Sequence, residues 1–226
     1  MSVRVSSLIG ALAASLTSSA AFAGGLISSD AENSGPYVAV FGGGVFLDDA
    51  GFSGPGGAVS VDTDTGYDFG GAVGYSLPVR VFGVFQPRYE IEVSYLDADI
   101  SRSGGVSAEG ERSALAVFFN GYYDIRLSAF GKLTPYVGGG AGVGFVDLEA
   151  FGGSALTPIA SADDTVFAGH FAAGATYALS ERIELYGEGR YVRTSKVDTA
   201  LLSPTAFLDD ERFEGFIANG GLRWKF

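Results

Sequence analysis

The chain has 226 residues, 35 of them glycine, no cysteine and a formal net charge of −12. That length suits one large domain or two small ones, and the absence of cysteine excludes a disulfide framework, Cys-ligated zinc, an iron–sulfur cluster and a lipid-modified N-terminal Cys. An acidic chain with pI ≈ 4.4 has nothing with which to neutralise phosphates, which argues against nucleic acid as a partner. Yet the mean hydropathy is +0.26, only 18% of residues are charged, and 18 Phe, 11 Tyr and 1 Trp are present. Acidic soluble chains usually carry more charge and less apolar surface.

In chain order, the first element is a targeting segment. Arg4 precedes an apolar stretch from Leu8 to Leu16, and small residues run to Ala21-Phe22-Ala23. A basic start, a short apolar core and an A-x-A end predict a signal peptide over 1–23, cleaved after Ala23. The apolar core is too short to span a bilayer as a helix, which takes about 20 residues. No sufficiently long apolar run follows, so any crossing has to be made by a closed β-barrel.

Period-2 alternation then recurs almost to the C-terminus. Tyr37 to Leu47 is apolar on both faces, which leaves its register undecided. Tyr67, Phe69, Gly71, Val73 and Tyr75 oppose Asp68, Gly70, Ala72 and Gly74. Tyr89, Ile91, Val93 and Tyr95 oppose Arg88, Glu90, Glu92 and Ser94. Leu115, Val117, Phe119, Gly121 and Tyr123 oppose Ala116, Phe118, Asn120, Tyr122 and Asp124. Pro135, Val137, Gly139, Ala141, Val143 and Phe145 oppose Tyr136 and glycines 138, 140, 142 and 144. Phe167, Gly169, Phe171, Ala173, Ala175 and Tyr177 oppose His170, Ala172, Gly174 and Thr176. Ile183, Leu185, Gly187, Gly189 and Tyr191 oppose Glu184, Tyr186, Glu188 and Arg190. Finally Phe216, Ala218, Gly220, Leu222, Trp224 and Phe226 oppose Asn219, Gly221, Arg223 and Lys225. A strand so apolar on one face and so polar on the other separates two solvents.

Eight segments result. Long polar loops are predicted near 48–63, 97–112, 149–163 and 195–212, and short turns near 76–84, 125–133 and 179–182. Long loops on one rim, short turns on the other and aromatic rings near segment ends predict an all-β fold, an eight-stranded antiparallel transmembrane β-barrel over 24–226 with four long outer loops and three short periplasmic turns. A soluble barrel or sandwich would reverse the faces, polar outside and apolar within.

Three stretches carry a family resemblance: Thr134-Pro-Tyr-Val-Gly-Gly-Gly-Ala-Gly-Val-Gly144, Ala172-Ala-Gly-Ala-Thr-Tyr-Ala-Leu-Ser-Glu-Arg182 with Tyr191 beyond it, and the terminal Leu222-Arg-Trp-Lys-Phe226. They resemble the small outer-membrane barrels of Gram-negative bacteria, the OmpA-like and opacity-like outer membrane protein beta-barrel domain families. The resemblance implies residence in the outer membrane, contact with membrane lipids and lipopolysaccharide, and a C-terminal insertion signal in Leu222, Trp224 and Phe226 read by the insertion machinery. No peptidoglycan-binding domain is expected after Phe226, and a monomer is expected.

An eight-stranded barrel leaves an interior that side chains fill. Alternation places Asp68, Arg88, Glu90, Glu92, Asp124, Glu184, Glu188, Arg190, Arg223 and Lys225 inside. These acids and bases are expected to pair, because isolated buried charges are far costlier than paired ones. The plain reading is a polar plug with a structural or surface-interaction role. The sharper one is a narrow cation-preferring, porin-like channel. Inner-face glycines 138, 140, 142 and 144 follow no nucleotide fingerprint, since no helix comes after them, and instead make room for Tyr122 and Tyr136. A rim enzyme that modifies lipid would need a histidine base with a partner. The one histidine, His170, has only Ala168 and Ala172 as same-face strand neighbours, so no catalytic residue, cofactor or metal is expected. Acidic clusters at Asp48-Asp49, Asp62 with Asp64, Asp163-Asp164 and Asp209-Asp210-Glu211 offer hard oxygen ligands to Ca²⁺ or Mg²⁺, although solvated loop faces account for them more simply.

Overall fold

A computed structural model describes residues 27–47, 50–54, 57–63, 65–103, 106–152, 157–195, 200–201 and 214–226; the predicted signal peptide lies outside these. Eight long strands form the wall: β1 Gly35–Leu47, β2 Gly66–Ser76, β3 Phe85–Ser103, β4 Val106–Ile125, β5 Leu133–Gly152, β6 Thr157–Ala178, β7 Ile183–Thr194 and β8 Glu214–Lys225. Each pairs antiparallel with the next, and β8 pairs back onto β1, so the sheet closes and leaves no edge along the wall. No helix among the described residues is long and apolar enough to cross a membrane.

The register fixes the shape. Following paired residues once around leads from Gly35 through Ser76, Arg88, Tyr122, Gly138, Ala172, Arg190 and Ile217 to Val45. The path returns to β1 ten residues further along. Such a stagger tilts the strands, as closure requires, by about 35–45°.

Alternation sorts the side chains. Tyr37, Ala39, Phe41 and Val45 of β1 point inward and are buried, which settles the register that its doubly apolar sequence leaves open. Val38, Val40 and Phe46 point out, and join Phe69, Val73, Ile91, Phe119, Val137, Phe167, Phe171 and Leu222 on the exposed surface. Phe171 is 80% exposed, and so continuous an apolar belt is stable only against lipid. Tyr75, Tyr89, Tyr123, Tyr177 and Trp224 lie toward the short turns, while Tyr67, Tyr95, Tyr191 and Phe216 lie toward the other rim. Rings at both boundaries match the headgroup levels of a bilayer.

Inner-face glycines are clearings for neighbouring rings. Tyr37 lies over Gly74, Phe41 over Gly70, Tyr122 over Gly138, Tyr136 over Gly174 and Tyr186 over Gly221, while Asn219 lies over Gly43. Each covering residue is the direct cross-strand partner of its glycine. In every case it leans onto the next strand in chain order, with β8 leaning onto β1. A methyl group at any of these glycines would collide with the residue above it.

Three of the predicted long loops are largely strand. β3 runs on to Ser103 paired with the start of β4 from Val106, and β5 runs on to Gly152 paired with the start of β6 from Thr157. Within 48–63, Ala50–Gly54 and Gly57–Thr63 form a hairpin that joins the upper end of β3. The fourth predicted loop lies mostly outside the described residues, apart from Ala200–Leu201 beside β6. Beyond the lipid both faces of a strand meet water, so apolar alternation stops while backbone pairing continues. The short turns are as predicted; between β2 and β3, Phe82 and Gly83 both take left-handed backbone, and the Val84 N–H closes the turn onto the Val81 carbonyl.

Candidate functional site

The inner faces build one polar interior, arranged around three arginines. Arg88 on β3 is 1% exposed; its Nε donates to Asp124 of β4 at 3.0 Å and its Nη1 to Glu90 at 3.1 Å. The guanidinium lies over the rings of Tyr122 and Tyr136, 4.0 and 4.7 Å from their centroids. Tyr37 reaches in from β1, donating to Glu90 at 2.6 Å and accepting from Arg88 at 3.2 Å.

Toward the long-loop rim, Arg190 of β7 pairs with its neighbour Glu188 and reaches across the lumen to Glu92 of β3, with Nη2 at 2.8 Å. Asn120 of β4 bridges the two arginine centres, donating to Glu90 at 3.2 Å and Glu92 at 2.9 Å. Toward the short turns, Glu184 of β7 takes Arg223 at 3.0 Å and Lys225 at 2.9 Å, both from β8. Arg223 also faces the Tyr37 ring at 4.7 Å. Charge-assisted hydrogen bonds thus link β3, β4, β7 and β8, with Tyr37 bringing in β1.

All ten charged residues predicted for the lumen face inward, and nine of them stand in ion pairs with one another. Asp68 differs. It is 3% exposed and accepts only the Asn219 amide, at 2.8 Å, leaving Oδ1 without a protein partner. The Tyr122 hydroxyl, the Asn120 and Asn219 carbonyls and both nitrogens of His170 likewise lack protein partners. His170 packs edge-on against Phe118, centroids 5.0 Å apart, with no hydroxyl or carboxylate bonded to it. Above this interior Val45, Val146 and Val166 are buried on the lumen side toward the long-loop rim, with Val146 and Val166 packed on Ala114.

Sequence reasoning left out Tyr37, whose strand had no assigned face, and Arg126, which sits in a short turn yet reaches Gln86 and Thr134. Asn120 and Asn219 show the inward parity but carry no charge to single them out. The side chains of the acidic clusters at 48–49, 62 and 64, 163–164 and 209–211 lie outside those described. Leu222, Trp224 and Phe226 face outward, and the Phe226 N–H donates to the Pro36 carbonyl at 3.2 Å.

Comparison with known proteins agrees with this architecture. The family model for the outer membrane protein beta-barrel domain matches residues 9–226. Neisserial surface protein A aligns at 16% identity over 88% of this chain and 99% of its own, with a TM-score of 0.50. OprG from Pseudomonas aeruginosa aligns at 14% identity over 85% of this chain and 97% of its own, with a TM-score of 0.52. The outer membrane protein AlkL aligns at 23% identity over 86% of this chain and 91% of its own, with a TM-score of 0.52. No curated protein matches the chain by sequence.

Proposed function

Since the chain belongs to the outer membrane protein beta-barrel domain family and resides in the cell outer membrane, we propose that it is a non-enzymatic barrel with a closed lumen. Its role is structural or surface-interacting, exercised through lipid, lipopolysaccharide and the long-loop rim. The observation that carries this reading is the ion pair of Arg190 with Glu92 across the lumen, from β7 to β3, flanked by Arg88 and Arg223, which pair with carboxylates of the neighbouring strands β4 and β7. Side chains tied across an interior this narrow leave ions no wide path, and wide diffusion pores take about 16 strands. Against catalysis stands the setting of His170, buried beside Phe118 with no nucleophile or orienting carboxylate bonded to it. A rim enzyme needs its base in reach of both. Leu222, Trp224 and Phe226 serve as the insertion signal in this reading.

A second reading, a narrow cation-preferring channel, draws on Asp68, the lumen acid held by an amide instead of a cation. Planar-bilayer recording of the refolded protein separates the two. No steady conductance is expected; steady cation-selective current would overturn the closed lumen in favour of the channel.

A further inference from the structure

We propose that residues 27–34, ahead of β1, form a strap that floors the lumen at its short-turn mouth. This rests on the closed-lumen reading and deepens it, by assigning the closure at one end to a specific segment. At an open mouth the lowest inward side chains would meet water. Here Ser76, Gln86, Asp124, Thr134 and Glu184, the lowest inward residues of β2, β3, β4, β5 and β7, are all buried, and Gln86 is 0% exposed.

The strap is tied at two points along its length. At its start, Ile27–Ser29 pairs antiparallel with Val79–Val81 of the β2–β3 turn. The Asp30 N–H donates to the Pro78 carbonyl at 3.0 Å, and the Asp30 carboxylate accepts from Arg80 at 2.6 Å and from Asn33 at 2.9 Å. Asp30 is buried between Ser29 and Ala31, which are exposed, so it is turned toward the barrel.

Toward its end, the Asn33 carbonyl accepts from Gln86 Nε2 at the base of β3, at 3.1 Å, and the same nitrogen donates to the Leu77 carbonyl at 3.0 Å. Gln86 Oε1 in turn accepts from Arg126 at 3.0 Å, and Arg126 reaches Thr134 at 3.2 Å. A continuous hydrogen-bonded line therefore runs from the β2–β3 turn, through the strap, to the bases of β3, β4 and β5. The chemistry is that of a latch. One ion pair, one short strand pairing and a few hydrogen bonds hold it, fewer ties than any wall strand has, so it opens more readily than the wall.

Because the chain has no native cysteine, a single introduced thiol reports on the floor. Ser76→Cys, placed on the lowest inward position of β2, is to be labelled with a cationic methanethiosulfonate in the folded, detergent-solubilised barrel. Slow labelling is expected, rising at least tenfold when Asp30→Ala and Arg80→Ala are added. The gel shift between heated and unheated samples is to be unchanged, which shows the wall intact. Fast labelling of Ser76→Cys alone, or no acceleration in the intact-walled triple variant, would overturn the strap. Bilayer recordings separate its failure from that of the closed lumen. The strap variant is expected to label quickly yet stay non-conducting, because the arginine layers above remain.

Discussion

At the scale of single residues, the interior shows why pairing partners cannot be named from sequence while their faces can. Arg190 and Glu92 are 98 positions apart, and alternation says only that both point inward. Arg88 with Glu90 and Arg190 with Glu188 are two residues apart on one strand, but the partner Arg190 meets across the lumen follows from the ten-residue stagger, a property of the closed wall that no local segment encodes. The polar groups are mutually dependent. Arg190→Ala leaves Glu92 and Glu188 buried without their cation, and is expected to lower unfolding stability by about 3–5 kcal/mol, read from urea titration in micelles. A loss of under about 1 kcal/mol would mean that the pair is solvated. In the strap, burial alone would raise the Asp30 carboxyl, but the Arg80 and Asn33 hydrogen bonds and the charges of Arg80 and Arg126 outweigh it and hold it below the ordinary 3.8. Its contribution is therefore full above pH 3.8 and is lost as pH falls through the lower folded value. With Arg80 partly exposed, that contribution is on the order of 1 kcal/mol or less. An NMR titration of the Asp30 carboxyl is expected to give a midpoint below 3.8, rising in Arg80→Met; a native midpoint at or above 3.8 would contradict the tie.

At the scale of elements, the eight strands were legible because lipid on one side and a polar interior on the other impose the period. Where lipid ends the signal ends, which is why 97–112, with Asp97, Asp99, Arg102, Glu109 and Glu111, reads as loop although its backbone stays paired. β1 failed differently. Its inner residues Tyr37, Ala39, Phe41 and Val45 are as apolar as its outer ones, and the deciding information lies on β2, where Gly70 and Gly74 make room for Phe41 and Tyr37. The strand faces can be tested directly. Phe119 on β4 lies mid-strand, 60% exposed, beside the inward Asn120. Phe119→Arg is expected to destabilise the folded barrel in lipid by about 2–4 kcal/mol, measured by denaturant unfolding in vesicles. A neutral result would mean that β4 does not face hydrocarbon.

At the scale of the whole molecule, the expected silence in bilayer recordings belongs to the barrel as a unit. Strand number and stagger set a bore that aromatic rings and salt-bridged side chains fill together, bounded above by buried valines and below by the strap. The contacts that close the wall also have a kinetic consequence. Seven of the eight strand pairings join neighbours in sequence, whereas the last brings Lys225 to Tyr37 across almost the entire chain. Asn219 locks that junction by covering Gly43 on β1 and donating to Asp68 on β2. Chain entropy makes so distant a pairing the slowest to form. A barrel caught before it forms presents two unpaired strand edges to lipid, so closing the β8–β1 seam is the step expected to limit insertion.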